Sequence, residues 1–143
     1  MKELKIKKVT SKNELKQVLQ IRMNVFVKEQ KVPPHVEIDG LDKEAEHFIV
    51  YLKNKPIGCA RIKTHKNHAK LERIAITKHH RNKGYGKQLT RYLINYCKQK
   101  QFSKIYLHSQ THVADFYEKL GFKKTGKPFY EGGIKHIKMY MKT

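Results

Sequence analysis

The segment from Leu71 to Lys87 limits the possible folds more than any other part of the chain. An apolar stretch with strand character ends at Ile76, a basic stretch with two glycines follows, and a helical pattern begins directly after it. When a strand is followed by a glycine loop and then by the first turn of a helix, the loop directs backbone N–H groups outward, and the helix dipole adds positive potential. We therefore predict a phosphate site here, formed by Arg81, Asn82, Lys83, Gly84, Tyr85, Gly86 and Lys87, which we name the glycine loop.

Two better-known phosphate loops do not fit this segment. A P-loop requires Gly-x-x-x-x-Gly-Lys-Ser/Thr, and a dinucleotide fingerprint requires three glycines in Gly-x-Gly-x-x-Gly. Neither pattern occurs here, so the segment does not favour a nucleoside triphosphate or NAD. The remaining alternative is that Gly84 and Gly86 form an ordinary turn between a strand and a helix on a lysine-rich surface.

The rest of the chain alternates between strand and helix patterns, and its length favours a single domain over residues 1–143. Ser11 and Glu14 have the spacing of a capping box, which predicts a helix from about Lys12. Its expected buried face is Leu15, Val18, Leu19, Met23 and Phe26. The expected strands are residues 4–9, 47–52, 57–64, 70–76, 105–108 and 134–141, and two further helices begin near residues 84 and 113. Together these elements predict an α/β fold with a mostly antiparallel sheet.

The chain is strongly basic, with 32 lysines and arginines against 12 carboxylates and a formal charge of +20. Such a charge attracts polyanions, so a nucleic-acid-binding module is one alternative, with Tyr85, Tyr92 and Tyr96 among the lysines. We interpret these tyrosines as a helix face and expect no specific nucleic-acid binding. Carboxylates are concentrated between Glu29 and Glu46, whereas Glu72 is the only one between Glu46 and Asp115.

The sequence also predicts a cytoplasmic protein without a metal centre. No apolar run approaches the roughly 18 residues that span a bilayer, and the N-terminal segment Met1–Lys5 lacks the apolar stretch of a secretion signal. Cys59 and Cys97 are not spaced as a metal or redox pair, so we expect free thiols. His108 and His112 are four residues apart but lack a third ligand.

Two motifs resemble those of the GNAT superfamily of acyl-CoA-dependent N-acyltransferases. The run from Arg81 to Gly86 fits the hallmark Arg/Gln-x-x-Gly-x-Gly/Ala, and Ala114–Phe122 resembles the aromatic pair and glycine of the second hallmark. Residues 22–30, 37–42 and 133–136 resemble the ElaA/YjcF-like branch. The resemblance covers nearly the whole chain. It implies the GNAT fold, a mixed, mostly antiparallel twisted sheet of about six to seven strands flanked by about four helices, with coenzyme A between two parallel strands.

This resemblance also implies an activity. The chain is expected to be an N-acetyltransferase that moves an acetyl group from acetyl-CoA to the primary amine of a small molecule, by direct attack in a ternary complex. The glycine loop would hold the diphosphate of the cosubstrate. The backbone of Ile74, Ala75 and Ile76 would hold the pantetheine arm and the acetyl carbonyl.

Two residues are candidates for proton transfer. Glu72 is the candidate base, acting through water, and we expect strand alternation to place Glu72 and Ile74 on one face. The alternative for Glu72 is a salt bridge to a neighbouring lysine or to Arg73. Tyr117 corresponds to the tyrosine of the second hallmark and is the candidate acid for the departing thiolate. Its alternative is a buried core tyrosine.

The N-terminal segment is expected to form the acceptor side. The carboxylates of Glu29, Glu37 and Asp39 would hold an ammonium group, while Arg22 and His47 would bind a carboxylate or phosphate of the same molecule. An amino acid or an amino sugar suits this arrangement. The alternative acceptor is a protein or peptide amine that binds the acidic segment. We expect a monomer or homodimer without membrane association.

Overall fold

The computed structural model describes residues 4–143 and contains seven strands and four α-helices. The strands are β1 (Leu4–Lys8), β2 (Glu46–Leu52), β3 (Lys55–His65), β4 (His68–Ile76), β5 (Lys104–Gln110), β6 (Lys123–Glu131) and β7 (Ile134–Lys142). The helices are α1 (Lys12–Arg22), α2 (Pro34–Glu37), α3 (Tyr85–Gln99) and α4 (Ala114–Lys119). A π-helix, Met23–Glu29, continues α1, and 3-10 turns cover Asp42–Glu44, Lys78–His80 and Thr111–Val113.

All seven strands form one mixed sheet in the order β1-β2-β3-β4-β5-β7-β6, which confirms the predicted fold class. Sequence analysis missed β6. That strand lies at the sheet edge, is almost entirely exposed, and contains lysines and Pro128. Edge strands commonly carry lysine and proline, which prevent pairing with other chains. The same residues remove the apolar alternation by which a strand is recognised in a sequence.

The only parallel pair among the described strands is β4 with β5. Its register extends over four residue pairs, from His68 opposite Lys104 to Leu71 opposite Leu107. Beyond Leu71 and Leu107 both strands continue, to Ile76 and Gln110, without pairing to each other. The sheet therefore opens between the carboxyl halves of β4 and β5.

A bulge interrupts β4 beside this opening. Glu72 pairs with Arg61 and Ala75 pairs with Cys59, so three residues of β4 span the same length as two residues of β3. Arg73, inside the bulge, has a φ of 53°. Residues that lie opposite each other in an antiparallel pair share a face, so Glu72 shares its face with Ala75. Ile74 packs against the core on the other face. The expected shared face of Glu72 and Ile74 is therefore wrong, because the extra residue of the bulge shifts the alternation.

Each face of the sheet has its own core cluster. On one face, α3 and α4 cover the larger cluster, and on the other, α1 and the π-helix cover a smaller one that includes Ala75. The predicted capping box of Ser11 and Glu14 is present at the start of α1. The predicted buried face is partly wrong: Leu19 is 37% exposed, and the buried apolar residues are Val18, Ile21 and Val25. The π-helix changes the residue spacing per turn after Arg22, so a 3.6-residue pattern does not continue to Phe26.

The helices and the two cysteines bear on the predictions of location and of free thiols. Within residues 4–143, none of the helices is long and apolar enough to cross a membrane. Met1, Lys2 and Glu3, part of the N-terminal segment on which the cytoplasmic prediction rests, lie outside the described residues. Cys59 and Cys97 are both buried and free, and burial raises the pKa of each thiol to about 12. Both thiols therefore stay protonated, which agrees with a packing role.

Candidate active site

A cavity of about 870 Å³ lies at the opening between β4 and β5. Its walls are the carboxyl halves of these strands, the glycine loop with the start of α3, the π-helix with α2, and the turn between β6 and β7. The predicted cosubstrate residues that line it are Ile74, Ile76, Arg81, Asn82, Gly84, Tyr85, Gly86 and Lys87. Ala75 and Lys83 do not line it. Both catalytic candidates, Glu72 and Tyr117, do.

The backbone of the glycine loop faces this cavity. Gly84 precedes α3 with a φ of 82°, a left-handed conformation that favours glycine. No side chain caps α3, and the first-turn amides of Gly86 and Lys87 have no partner within a helix. A Cβ added at Gly86 would lie 3.8 Å from Phe116 Cζ and 3.9 Å from Ile76 Cγ1, both cavity residues. The uncapped first-turn amides at this helix start fit a diphosphate group.

Arg81 joins the glycine loop to the end of the π-helix. Its Nε donates to the Ile76 carbonyl at 2.8 Å, and its Nη2 donates to Glu29 Oε1 at 2.8 Å. The second terminal nitrogen donates to the other Glu29 oxygen. Hydrogen bonding from Arg81 lowers the pKa of Glu29. Glu29, predicted to bind the acceptor, therefore lies beside the glycine loop and pairs with a residue expected to contact phosphate.

The carboxylates of Glu37, Asp39 and Asp42 pair with arginines of α1, β3 and β4. Arg22, only 2% exposed, contacts Glu37 and donates to Asp42 at 2.7 Å. Arg61, only 1% exposed, donates to Asp39 at 2.8 Å and to Asp42 at 3.0 Å. We name this set the arginine–carboxylate network, which consists of Arg22, Arg61, Arg73, Glu37, Asp39, Asp42 and Glu72. It holds the acidic segment firmly against the sheet.

Most of the predicted acceptor residues belong to this network or contact it. Of Arg22, Glu29, Glu37, Asp39 and His47, only Glu37 lines the cavity. His47 is 7% exposed, and its Nε2 lies 3.0 Å from the carbonyl oxygen of Asp42. Arg22 and His47 thus contact the acidic segment through the guanidinium group and through Nε2, while His47 Nδ1 is buried without a hydrogen-bond partner.

Glu72 has cations on both of its carboxylate oxygens. Arg61 Nε donates to Oε2 at 2.8 Å, and Lys70 Nζ lies 3.1 Å from Oε1. Burial opposes ionisation of Glu72, but the charges of Lys70 and Arg61 outweigh it and hold the pKa below its usual value. The salt bridge to a neighbouring lysine, the alternative from the sequence, is present. Arg73 pairs with Glu37 and Asp39 instead.

Tyr117 packs in an aromatic group at the cavity wall. Its ring lies 5.0 Å from that of Phe116 and 5.9 Å from that of Phe122, both edge-on. Burial raises the pKa of Tyr117 to about 12, so its hydroxyl group is protonated near neutral pH. A protonated hydroxyl in the cavity is the state that a proton donor requires.

Sequence reasoning missed a polar group at the end of β5 and the β6–β7 turn. His108 Nδ1 lies 3.1 Å from Glu131 Oε2, and His136 Nδ1 lies 2.7 Å from the Ile134 carbonyl oxygen. All four residues line the cavity. Because β6 was not predicted, nothing in the sequence placed Glu131 beside His108. In the described part of the chain, no three histidine, cysteine or acidic residues are arranged to hold a metal ion.

Comparisons with known proteins point to one family. Residues 7–143 match the acetyltransferase (GNAT) domain family. YjcF of Bacillus subtilis, named an uncharacterized N-acetyltransferase, is 39% identical over 137 residues, which cover 94% of this chain and 98% of YjcF. An acyl-CoA N-acyltransferase from Pseudomonas aeruginosa has a similar structure, with a TM-score of 0.85, 26% identity and coverage of 98% and 99% of the two chains. ElaA of Escherichia coli has the same TM-score and coverage at 27% identity.

Proposed function

The chain belongs to the GNAT acetyltransferase family, and from this premise we propose that it transfers the acetyl group of acetyl-CoA to the primary amine of a small molecule. One observation carries the proposal: a single cavity joins the glycine loop to the carboxylates of Glu37, Glu72 and Glu131. Phosphate-binding amides suit the cosubstrate, and carboxylates suit an ammonium group.

The cosubstrate fits the glycine-loop end of the cavity. The diphosphate would accept hydrogen bonds from the amides of Gly86 and Lys87, with Lys83 adding positive charge from the loop surface. The pantetheine arm would lie along Ile74–Ile76, where β4 has left β5 and its backbone groups on that side can bind a ligand. Ala75 does not line the cavity, but binding by the backbone does not require its side chain.

The chemistry requires a neutral amine, a polarised thioester carbonyl and a proton for the thiolate. Tyr117 is the proposed proton donor, since its hydroxyl group is protonated and lines the cavity. Glu72 has a lowered pKa, which makes it a weak proton acceptor near neutral pH. We therefore propose that Glu72 stays ionised between Arg61 and Lys70 and leaves deprotonation of the ammonium group to another residue.

The cavity favours a small acceptor without a second anionic group. A volume of about 870 Å³ lies within the ordinary range of small-molecule sites. Phe26, Val32 and Val36 give the acceptor side an apolar wall. Arg22 is buried against carboxylates and leaves no free guanidinium there for a carboxylate or phosphate. We therefore expect amino sugars and amino alcohols to be better acceptors than amino acids.

Two measurements test this function. Thermal shift with acetyl-CoA, CoA and ATP tests the cosubstrate, and stabilisation by ATP but not by CoA would overturn it. Thiol release is then followed with glucosamine, glucosamine 6-phosphate, ethanolamine, lysine and a peptide with a free N-terminus. We expect glucosamine or ethanolamine to react fastest. A peptide that reacts faster than every small amine would assign the chain to the protein acetyltransferases instead.

A further inference from the structure

We propose that His108, held by Glu131, accepts the proton of the acceptor ammonium group. This inference rests on the proposed function and adds the base that Glu72 cannot supply. It is carried by the position of His108 in the opened sheet, by the hydrogen bond to Glu131, and by the protein partners of the competing groups.

His108 stands at the narrow end of the opening between β4 and β5. The last registered pair is Leu71 with Leu107, so Glu72 and His108 are the first residues beyond the point where the strands separate. Tyr106 pairs with Lys70, and side chains two residues apart share a face. Glu72 and His108 therefore project to the same side of the sheet, from opposite edges of the cavity.

Glu131 determines which nitrogen of His108 is available. The carboxylate accepts a hydrogen bond from Nδ1–H at 3.1 Å, which leaves Nε2 with its lone pair. The ring of Phe129 packs edge-on against the imidazole at 4.9 Å and restricts its rotation. The side chain of His108 is 23% exposed, so the imidazole is accessible from the cavity that it lines. The pKa of Glu131 is lowered chiefly by its hydrogen bond with His108, which keeps the carboxylate ionised.

Three other titratable groups of the cavity, Glu72, Tyr117 and His136, are less suited to this role. Glu72 is paired with two cations, and Tyr117 is protonated. His136 stacks on Phe129 with a centroid distance of 6.0 Å, but its Nδ1 contacts a backbone carbonyl and not a carboxylate. The charged and titratable groups around His108 are Glu131 of β6, His136 and Lys138 of β7, Lys70 and Glu72 of β4, and His112 of the following turn.

The proposed reaction transfers one acetyl group and releases one proton to solvent. Nε2 of His108 takes one proton from R–NH₃⁺, directly or through one water molecule. The nitrogen of R–NH₂ forms a bond with the thioester carbonyl carbon, and the bond from that carbon to sulfur breaks. The nitrogen releases its second proton to solvent, the thiolate takes a proton from Tyr117, and Tyr117 regains a proton from solvent. The products are R–NH–acetyl and CoA–SH, and the proton on His108 passes to solvent.

Variants at three positions test the step through the pH dependence of the rate. With the fastest amine of the panel, we expect His108→Gln to lower kcat by about 10²- to 10⁴-fold and to remove the acidic limb of the pH–rate profile, with an unchanged Kd for CoA. Glu131→Gln should lower kcat less, because a neutral amide still contacts Nδ1 but no longer stabilises the charge that the imidazole gains. His65→Gln, an exposed histidine outside the cavity, is the matched control and should behave as wild type.

A His108→Gln enzyme that keeps the acidic limb would overturn the proposal. So would His136→Gln if it removed the limb instead. A ¹⁵N spectrum of the histidines in the wild-type enzyme with bound acetyl-CoA tests His108 without any acceptor. Protonated Nδ1 with unprotonated Nε2 supports the proposal, and the opposite tautomer contradicts it. If no amine is acetylated, the acceptor class has failed, and this spectrum still decides the role of His108.

Discussion

Replacing Gly86 with alanine is expected to raise stability and to leave cosubstrate binding unchanged. The added Cβ would lie at ordinary van der Waals distances of 3.8 and 3.9 Å from its nearest neighbours, and Gly86 does not have a positive φ. Glycine in a helix costs about 0.5–1 kcal/mol relative to alanine. Because Gly86 lies in the first turn of α3, we expect a gain of about 0.5 kcal/mol in the free energy of unfolding, or about 2 °C in Tm.

The effect on binding is expected to be small. The hallmark Arg/Gln-x-x-Gly-x-Gly/Ala accepts alanine at this position, and the atoms nearest to the added Cβ belong to Phe116 and Ile76. A hydrogen bond to a charged group contributes about 1.5–3 kcal/mol, so a blocked amide would raise the Kd for CoA by about 10- to 150-fold, and we expect no such rise. Isothermal titration with CoA at fixed ionic strength measures this change, and urea unfolding without ligand measures the stability.

Asn95→Ala is the matched control for this experiment. Asn95 is exposed in the middle of α3 and lies outside the cavity, and alanine there also improves helix propensity. It should raise stability and leave the Kd for CoA unchanged. A Kd for CoA that rises ten-fold or more in Gly86→Ala and not in Asn95→Ala would mean that the added Cβ blocks the amides, and it would refute this expectation. A clear loss of stability in that variant would refute the packing argument.

Three other predictions concern charged groups. Glu29→Gln frees Arg81 from a partly exposed ion pair. The Kd for CoA should therefore fall about two- to five-fold at low salt. Weaker binding of CoA would mean instead that Glu29 positions Arg81. Arg61→Leu removes one of the two cations that contact each of Asp39, Asp42 and Glu72. It should lower the free energy of unfolding by about 3 kcal/mol, and a loss below about 1 kcal/mol in urea would contradict the importance of the network. The pKa values of Asp39 and Glu72 are depressed in the folded state, so their stabilisation is present above the unfolded values and is lost on acidification. The urea concentration at the unfolding midpoint should stay constant between neutral pH and about pH 5.5, and it should decrease when the pH is lowered further, below about 4.5. A midpoint that increases on acidification would contradict this sign.

Features encoded within a few neighbouring residues were predictable from the sequence. The capping box of Ser11 and Glu14 requires only residues three apart, and the turn at Gly84 requires only a glycine before a helical pattern. The order of strands and helices followed from periodicity for the same reason. These features place the glycine loop at the end of β4, so most of the predicted cosubstrate residues line the cavity.

Features that depend on distant partners were not predictable in this way. The bulge at Arg73 has no local signal, because it arises from the pairing of β4 with β3. Charge counts indicated an acidic segment but not that Arg61 would neutralise Asp39 and Asp42. An exposed edge strand positions Glu131, and it carries no apolar alternation.

The short parallel register between β4 and β5 has a mechanical consequence. Within residues 4–143, four residue pairs are the only strand pairing that joins the antiparallel group β1–β4 to the antiparallel group β5–β7–β6. A molecule bound in the opening touches both groups and acts as an additional crosslink between them. We therefore expect the two strand groups to be held together most firmly when a molecule occupies the opening.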